Sequence, residues 1–321
     1  MTIDIRKVTV LGTGVLGSQI AFQTAFRGFE VTAYDIDDKA LAAARERLDK
    51  LAAVYREQVP GGGDGKAEQT AASIALDSDL ARAVQDADLV IEAIPEVLSI
   101  KQQTYEQLGR VAPERTIFAT NSSTLLPSAM KDFTGRPDRF LALHFANQVW
   151  HFNTAEIMGT ADTDPNVYQA VVDFASEIGM VPIEIHKEKA GYVLNSLLVP
   201  LLNAGMSLAA GGYADPEAVD KTLADRHRRP GRAVPHPRHH RTDHAVQHPR
   251  QQRGRGLPTA GPVVEGELHR QGQARHRHRR GLLQVLIRRG GNIRRHYALD
   301  RDDLEHAFQT PEIRAVAGVQ R

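Results

Sequence analysis

The segment from Lys7 to Asp35 constrains this chain more than any other, because its order of strand, glycine turn, helix and strand leaves few folds open. A β-branched run, Val8 to Leu11, leads directly into Gly12-Thr13-Gly14-Val15-Leu16-Gly17. Leu16, Ile20, Phe22, Ala25 and Phe26 then recur at helical spacing up to a stop at Gly28, and a second strand, Phe29 to Tyr34, ends on Asp35. In a dinucleotide-binding turn the first glycine allows the tight bend, the second admits the pyrophosphate, and the third lets helix and strand pack closely. The free N–H groups and positive dipole end of the helix beginning at Val15 and Leu16 favour phosphate. Asp35 is placed to bond the adenosine ribose hydroxyls. With Asp37 and Asp38 beside it, it would repel a 2′-phosphate, so NAD is expected rather than NADP. A glycine turn in a nucleotide-free α/β domain is the plainer alternative.

A chain of 321 residues has room for two domains, and the absence of cysteine excludes disulfide frameworks and thiolate metal sites. No uninterrupted apolar run of membrane-spanning length is seen and the N-terminus reads as strand, so a cytoplasmic protein is expected. The net charge of +1 averages two unlike parts. Residues 1–224 carry 19 Lys or Arg against 30 acids, whereas residues 225–321 carry 21 Arg, no Lys, nine acids and 11 of the 14 His.

Strand patterns at Ala87 to Ile94, Thr116 to Ala119, Phe140 to Phe145, Ala155 to Met158 and Val181 to Ile185 alternate with helical ones. The helices are expected at Lys39 to Tyr55, around Leu80 to Gln85, at Ser99 to Arg110, from about Pro127, and after Asp164-Pro165. Such alternation predicts a Rossmann-type, doubly wound, mostly parallel α/β sheet over residues 1–186. Helix then follows helix: Tyr192 to Ala210, and another from Asp215-Pro216 to Lys221. Residues 187–223 therefore read as the start of an all-helical second domain, and 224–321 as a basic tail.

Ser123, His144, Glu156 and Asn195 are the candidates for chemistry. Ligands of doubly wound sheets bind beyond the carboxyl ends of strands, where His144 and the loop holding Ser123 fall. An imidazole can accept a proton from an alcohol near neutral pH, a carboxylate on its far nitrogen would fix its tautomer, and hydroxyl or amide donors can hold a substrate oxygen. Spacing alone leaves open a buried histidine satisfied by backbone.

Three further segments carry a resemblance: Asn121-Ser122-Ser123-Thr124-Leu125, His144-Phe145-Ala146-Asn147-Gln148, and Gly191-Tyr192-Val193-Leu194-Asn195-Ser196-Leu197-Leu198-Val199-Pro200. With the glycine turn and the strand Asp88 to Glu96, they resemble the 3-hydroxyacyl-CoA dehydrogenases, 3-hydroxybutyryl-CoA dehydrogenases included, over about residues 5 to 223. The resemblance implies NAD-dependent oxidation of a 3-hydroxyacyl-CoA in fatty acid or butanoate metabolism. It implies His144 as base, Glu156 as its partner, Ser123 and Asn195 on the substrate oxygen, and Glu96, Lys101, Ser123 and Asn147 around the nicotinamide and its ribose. Ala146 and Gln148 replace a Phe and a Pro of that family's signature, so an acyl preference unlike the family's is expected. The CoA-contacting segment is not recognisable; Arg45, Arg47, Lys50, Arg56 and Lys66 could meet phosphates but read first as solvated helix charges. Two alternatives are a dehydrogenase for a free β-hydroxy acid, in which a lysine would be expected where Asn195 stands, and a non-catalytic NAD-binding module.

Beyond Leu223 the family pattern stops. Read one base later, the codons of Leu223 to Pro235 permit Trp-Arg-Ile-Ala-Thr-Gly-Ala-Pro-Val-Gly-Pro-Phe, which contains the Trp-Arg and Gly-Ala-Pro-x-Gly-Pro-Phe with which the family continues here. The same shift makes Arg275 to Val285 compatible with Gly-Ile-Ala-Thr-Gly-Glu-Gly-Phe-Tyr-Lys-Tyr, which contains the family's Ala-Thr-Gly-Glu-Gly-Phe-Tyr. A one-base frame change is the reading adopted, and a tail so poor in large apolar residues is expected to be disordered. Nucleic-acid binding by its arginines is disfavoured by the near absence of aromatics, and zinc binding by the lack of further ligands at useful spacing. The family's homodimer, whose interface lies in the C-terminal helices, is doubtful for this chain.

Overall fold

The computed structural model describes residues 3–227; the expected disorder and frame change beyond them lie outside the described residues. Eight strands form one sheet: β1 (Lys7–Leu11), β2 (Glu30–Tyr34), β3 (Ala75–Asp77), β4 (Leu89–Glu92), β5 (Ile117–Thr120), β6 (Phe140–Phe145), β7 (Thr154–Gly159) and β8 (Val181–Ile185). Their order is β3-β2-β1-β4-β5-β6-β7-β8, and every neighbouring pair is parallel except β6 with β7. The chain runs outward from β1 to β3, then returns to lay β4 on the other side of β1. That reversal opens a crevice at the carboxyl ends of β1 and β4, where doubly wound sheets take their ligands.

Around the sheet lie α1 (Val15–Phe26), α2 (Asp38–Gln58), α3 (Lys66–Ser73), α4 (Leu80–Val84), α5 (Leu98–Val111) and α6 (Pro165–Glu177). Side chains start several of them: Asp37 accepts from the Ala40 amide at 2.7 Å, and Asp164 from the Asn166 amide at 2.6 Å with Pro165 at the first helical position. Among the described residues three apolar clusters result, the smallest of Ala142, Met158 and Tyr192. Val8, Val10, Ile20, Phe22, Leu48, Tyr55 and Phe174 belong to the largest, while Val90, Tyr105, Leu108, Phe118 and Phe140 belong to the second. Strands buried on both faces explain the near-continuous apolar runs at β4, β5 and β6, whose residues are all buried.

The doubly wound fold expected from the sequence is present, with two local differences. Neither α3 nor β3 was foreseen: β3 is three residues long and carries too little alternation to register. Where one helix was expected from Pro127, there are three short 3₁₀ turns, Pro127–Ala129, Lys131–Thr134 and Pro137–Arg139; Gly135, at a positive φ, ends the second and Pro137 opens the third.

After β8 the chain enters α7 (Tyr192–Ala210) and then α8 (Pro216–His227). Residues up to Leu201 group with the sheet, and a second unit begins at Leu202. α7 is long and apolar enough to cross a membrane by length and composition, although no unbroken apolar run was read there. Asn195, Ser196, Asn203 and Ser207 interrupt it. Val193, Leu197 and Leu201, four residues apart, are exposed along one stripe, Leu197 at 69%.

Candidate active site

The glycine turn occupies the carboxyl end of β1. Gly12 has φ +88°, and a Cβ there would stand 2.6 Å from the Ala93 carbonyl oxygen, just beyond β4. At Gly17 a Cβ would stand 1.9 Å from the Gly12 oxygen, so α1 packs on the turn at a distance only glycine allows. Gly14 is different: a Cβ there would meet nothing within 4 Å. No side chain caps α1 at Gly14 and no acid lies in its first turn, so its leading N–H groups face that open space without an anionic competitor. This is a fit for a pyrophosphate. Leu16 packs on the core while Val15 is exposed at the rim.

Asp35 follows β2. Its Oδ2 accepts from the Thr13 amide at 2.8 Å and the Thr13 hydroxyl at 2.6 Å, and Oδ1 from the Ile36 amide at 2.9 Å. The carboxylate is thus locked to the glycine turn through Oδ2, while Oδ1, with one donor, retains a lone pair for a ribose hydroxyl.

His144 and Glu156 come together by strand register. They are directly opposed in the antiparallel β6–β7 pair, which puts both side chains on one face. His144 Nδ1 lies 2.8 Å from Glu156 Oε2, with both side chains buried. A carboxylate at Nδ1 places the ring proton there and leaves Nε2 as the acceptor. The other oxygen of Glu156 has a role the sequence did not disclose: it accepts from the backbone amides of Val193 at 2.9 Å and Leu194 at 2.8 Å. Glu156 therefore caps α7, the helix that carries Asn195.

Tyr192 was also missed. Its ring stacks on the His144 imidazole, centroids 4.7 Å apart and planes at 28°, and it is held at φ +51° after Gly191 at φ +78°. Its buried hydroxyl has no partner among the described residues, and burial, reinforced by Glu96 and Glu156, pushes the phenol far above its ordinary value. The signal available in the sequence was the aromatic residue next to Gly191 at the mouth of an apolar helix.

Ser123 is half-buried in the loop after β5, and Asn195 half-buried in the first turn of α7. Neither side chain is tied by a hydrogen bond among the described residues. Asn147 lies beyond β6, its Oδ1 accepting from Gln19 Nε2 at 2.6 Å and from the Gln148 amide at 2.9 Å. Gln148 adopts φ +60°, and its N–H also reaches Gln19 Oε1 at 2.7 Å.

Lys101 is only 1% exposed, with its ammonium 2.5 Å from Glu92 Oε1 and 3.2 Å from Glu96 Oε2. Its charge is thus engaged inside the protein rather than pointing freely at a ligand. Burial alone would raise the Glu96 carboxyl, but Lys101 and donors on Ser122 and Thr124 overcome that and lower it to about 2.

Of the five cations considered for CoA phosphates, three hold α2 and its surroundings together. Arg45 donates to the Ala71 carbonyl at 2.6 Å, Arg56 lies 2.5 Å from Glu68, and Lys66 sits over the Phe26 ring at 4.2 Å. Arg47 donates to the Thr13 carbonyl at 3.2 Å, and Lys50 lies 3.9 Å from Glu46.

The family described as 3-hydroxyacyl-CoA dehydrogenase, NAD binding domain, matches residues 7–189. The chain belongs to the 3-hydroxyacyl-CoA dehydrogenase family. Mitochondrial hydroxyacyl-coenzyme A dehydrogenase of Sus scrofa is 35% identical to it over 223 residues, 68% of this chain and 71% of that protein. The crystal structure of (S)-3-hydroxybutyryl-CoA dehydrogenase from Ralstonia eutropha is 28% identical, with a TM-score of 0.61 over 71% of this chain and 79% of that one. The solved structure of a diketoreductase with substrate-directed dual catalysis of dicarbonyl compounds is 65% identical, with a TM-score of 0.67 over 69% of this chain and 78% of that one. As a 3-hydroxyacyl-CoA dehydrogenase relative with an NAD-binding domain, the chain is an oxidoreductase, and NAD is its cofactor.

Proposed function

We propose that the chain interconverts a short-chain (3S)-3-hydroxyacyl-CoA, such as 3-hydroxybutyryl-CoA, and its 3-oxoacyl-CoA, with His144 moving the proton. The His144–Glu156 pair carries this reading, because it leaves Nε2 as a buried, oriented base at the carboxyl ends of the strands. NAD, when bound, supplies the hydride acceptor or, reduced, the donor. Nε2 takes the 3-hydroxyl proton during oxidation, while Glu156 stabilises the resulting imidazolium. In the opposite direction the imidazolium returns that proton to the ketone oxygen. Ser123 and Asn195 offer hydroxyl and amide donors to the same oxygen or the thioester carbonyl. Gly12, Thr13, Gly14, Val15, Leu16, Gly17 and Asp35 bind the adenosine half of the cofactor. Glu96, Lys101 and Asn147 border the nicotinamide half, Lys101 acting through Glu96.

A second reading is reduction of dicarbonyl compounds that carry no CoA. The 65% identical diketoreductase favours it, as do cations of α2 that are already committed within the fold. A 3-oxoacyl thioester is itself a 1,3-dicarbonyl, so the same base and donors serve both. NADH consumption with acetoacetyl-CoA and with pentane-2,4-dione separates them: turnover of the thioester supports the first reading, and of the diketone alone the second. Consumption of neither by a chain that binds NADH rejects both.

His144→Gln should lower turnover by about 10³-fold, within the span of general acid–base catalysis, with NADH fluorescence titrations unchanged. Undiminished turnover would remove His144 from the reaction. The reading places the enzyme in the cytoplasm and attributes the basic tail to a one-base frame change after Leu223. Genomic DNA across that codon tests the latter, and the absence of an adjacent Gly-Ala-Pro-x-Gly-Pro-Phe frame rules it out.

A further inference from the structure

One oxygen of Glu96 gathers most of the loop that follows β5. Glu96 Oε1 accepts from the Ser122 hydroxyl, from the amides of Ser123 at 3.2 Å and Thr124 at 3.1 Å, from the Thr124 hydroxyl at 2.9 Å, and more distantly from the Leu125 amide at 3.4 Å. The Ser122 hydroxyl in turn accepts from the Leu125 amide at 2.9 Å. The loop has no regular secondary structure of its own, so these bonds are where its amides find acceptors.

Behind Glu96 stands a buried support. Its second oxygen meets Lys101, Lys101 meets Glu92, and the far oxygen of Glu92 accepts from Thr120 at 2.8 Å and Tyr105 at 3.2 Å. Thr120 is the last residue of β5, so the chain of contacts closes a ring from β4 through α5 to the strand that launches the loop. Lys101 between two carboxylates leaves a net negative charge, and the loop amides are the dipoles that satisfy it. Burial of an ion pair with one excess charge is tolerated only when such donors complete it.

We propose that Glu96 is a positioning residue, which shapes the Ser122–Leu125 loop and thereby aims Ser123 at the substrate oxygen. The assignment of Ser123 to that oxygen rests on the function proposed above; the shaping of the loop does not. Glu96 is held ionised well below neutral pH by the same neighbours, so the loop is fixed throughout the physiological range. Carboxylate acceptors make hydrogen bonds about twice as strong as neutral ones, which suits a single oxygen serving several donors.

Hydrogen exchange of the full chain without cofactor tests this directly. In Glu96→Gln the amides of Thr124 and Leu125 should exchange roughly tenfold faster or more, the scale expected when charge-assisted bonds are lost. Amides of β6 serve as the internal control, and protection there as in the parent shows that the fold persists. Lys101→Met, which removes the support but not the clamp, should raise the same exchange by a smaller factor. Thr124 and Leu125 amides that exchange as in the parent in both variants overturn the proposal, whatever happens to NADH affinity. Turnover separates the two layers. Ser123→Ala without effect on the rate removes Ser123 from the reaction and leaves the exchange result standing. Faster exchange together with a fall in kcat, at unchanged NADH affinity, supports positioning as against cofactor contact.

Discussion

Three groups grip the imidazole of His144: the Glu156 carboxylate at Nδ1, the Tyr192 ring on its face, and the backbone of β6. Tyr192 sits at a positive φ, a conformation that costs a non-glycine residue energy and persists only where its surroundings impose it. The imposing contacts are visible: its amide donates to the Lys189 carbonyl at 3.0 Å, and the next two amides are held by Glu156. The ring makes the contact and the hydroxyl does not, since the latter is buried without a partner among the described residues. Tyr192→Phe should therefore be neutral or stabilise by up to about 1 kcal/mol. Tyr192→Leu should destabilise by about 1–3 kcal/mol and lower kcat roughly tenfold, because the imidazole loses its stacking face. Urea denaturation and NADH consumption measure both; a Leu variant with parental kcat would show that the stack is incidental to turnover.

The turn between β6 and β7 shows how a single residue type redirects an element. Gln148 replaces the proline of the signature that this chain otherwise resembles, and it adopts φ +60° with its N–H on Gln19 and Asn147. Proline is confined near −65° and has no N–H to give. The loop from Asn147 to Asn153 therefore follows a path a proline would forbid, and it is anchored to α1 through Gln19 rather than by ring rigidity. Gln148→Pro is expected to destabilise the protein by about 3 kcal/mol or more, read as a lower urea midpoint. A midpoint at or above the parent's would mean the positive φ is not required. At the same scale, Glu156 joins β7 to α7, so the helix bearing Asn195 and the strand facing His144 are set by one carboxylate.

For the molecule as a whole, the buried Glu92–Lys101–Glu96 triad links stability to acid. Glu96 has a folded value of about 2 against an ordinary 4.5, so the unfolded chain takes up its proton first as pH falls. The stabilisation is complete above the ordinary value and is lost progressively as pH drops towards the folded one. Urea midpoints at about pH 5 and about pH 3 should fall steeply in the parent and less steeply in Glu96→Gln. Equal slopes would separate Glu96 from acid sensitivity. The alternating β/α order and the glycine turn were legible because each is local: spacing, turn chemistry and strand composition report on residues near in sequence. β3 was too short to leave a pattern, and the 3₁₀ turns after Pro127 are separated by a glycine break and a proline start.

The amino-acid order by itself determined the dinucleotide fold, the acid after the second strand, and the identity of His144, Glu156, Ser123 and Asn195 as the polar residues worth watching. It could do so because strand ends and helix starts are marked by local chemistry. Only the tertiary structure decided how these groups act on one another. Register across β6 and β7 set the imidazole–carboxylate pair, a long-range approach made Glu156 a helix cap, and burial turned Lys101 inward to Glu92 and Glu96. Those partners are separated along the chain and meet only when the sheet closes around them, so no local pattern encodes their contact.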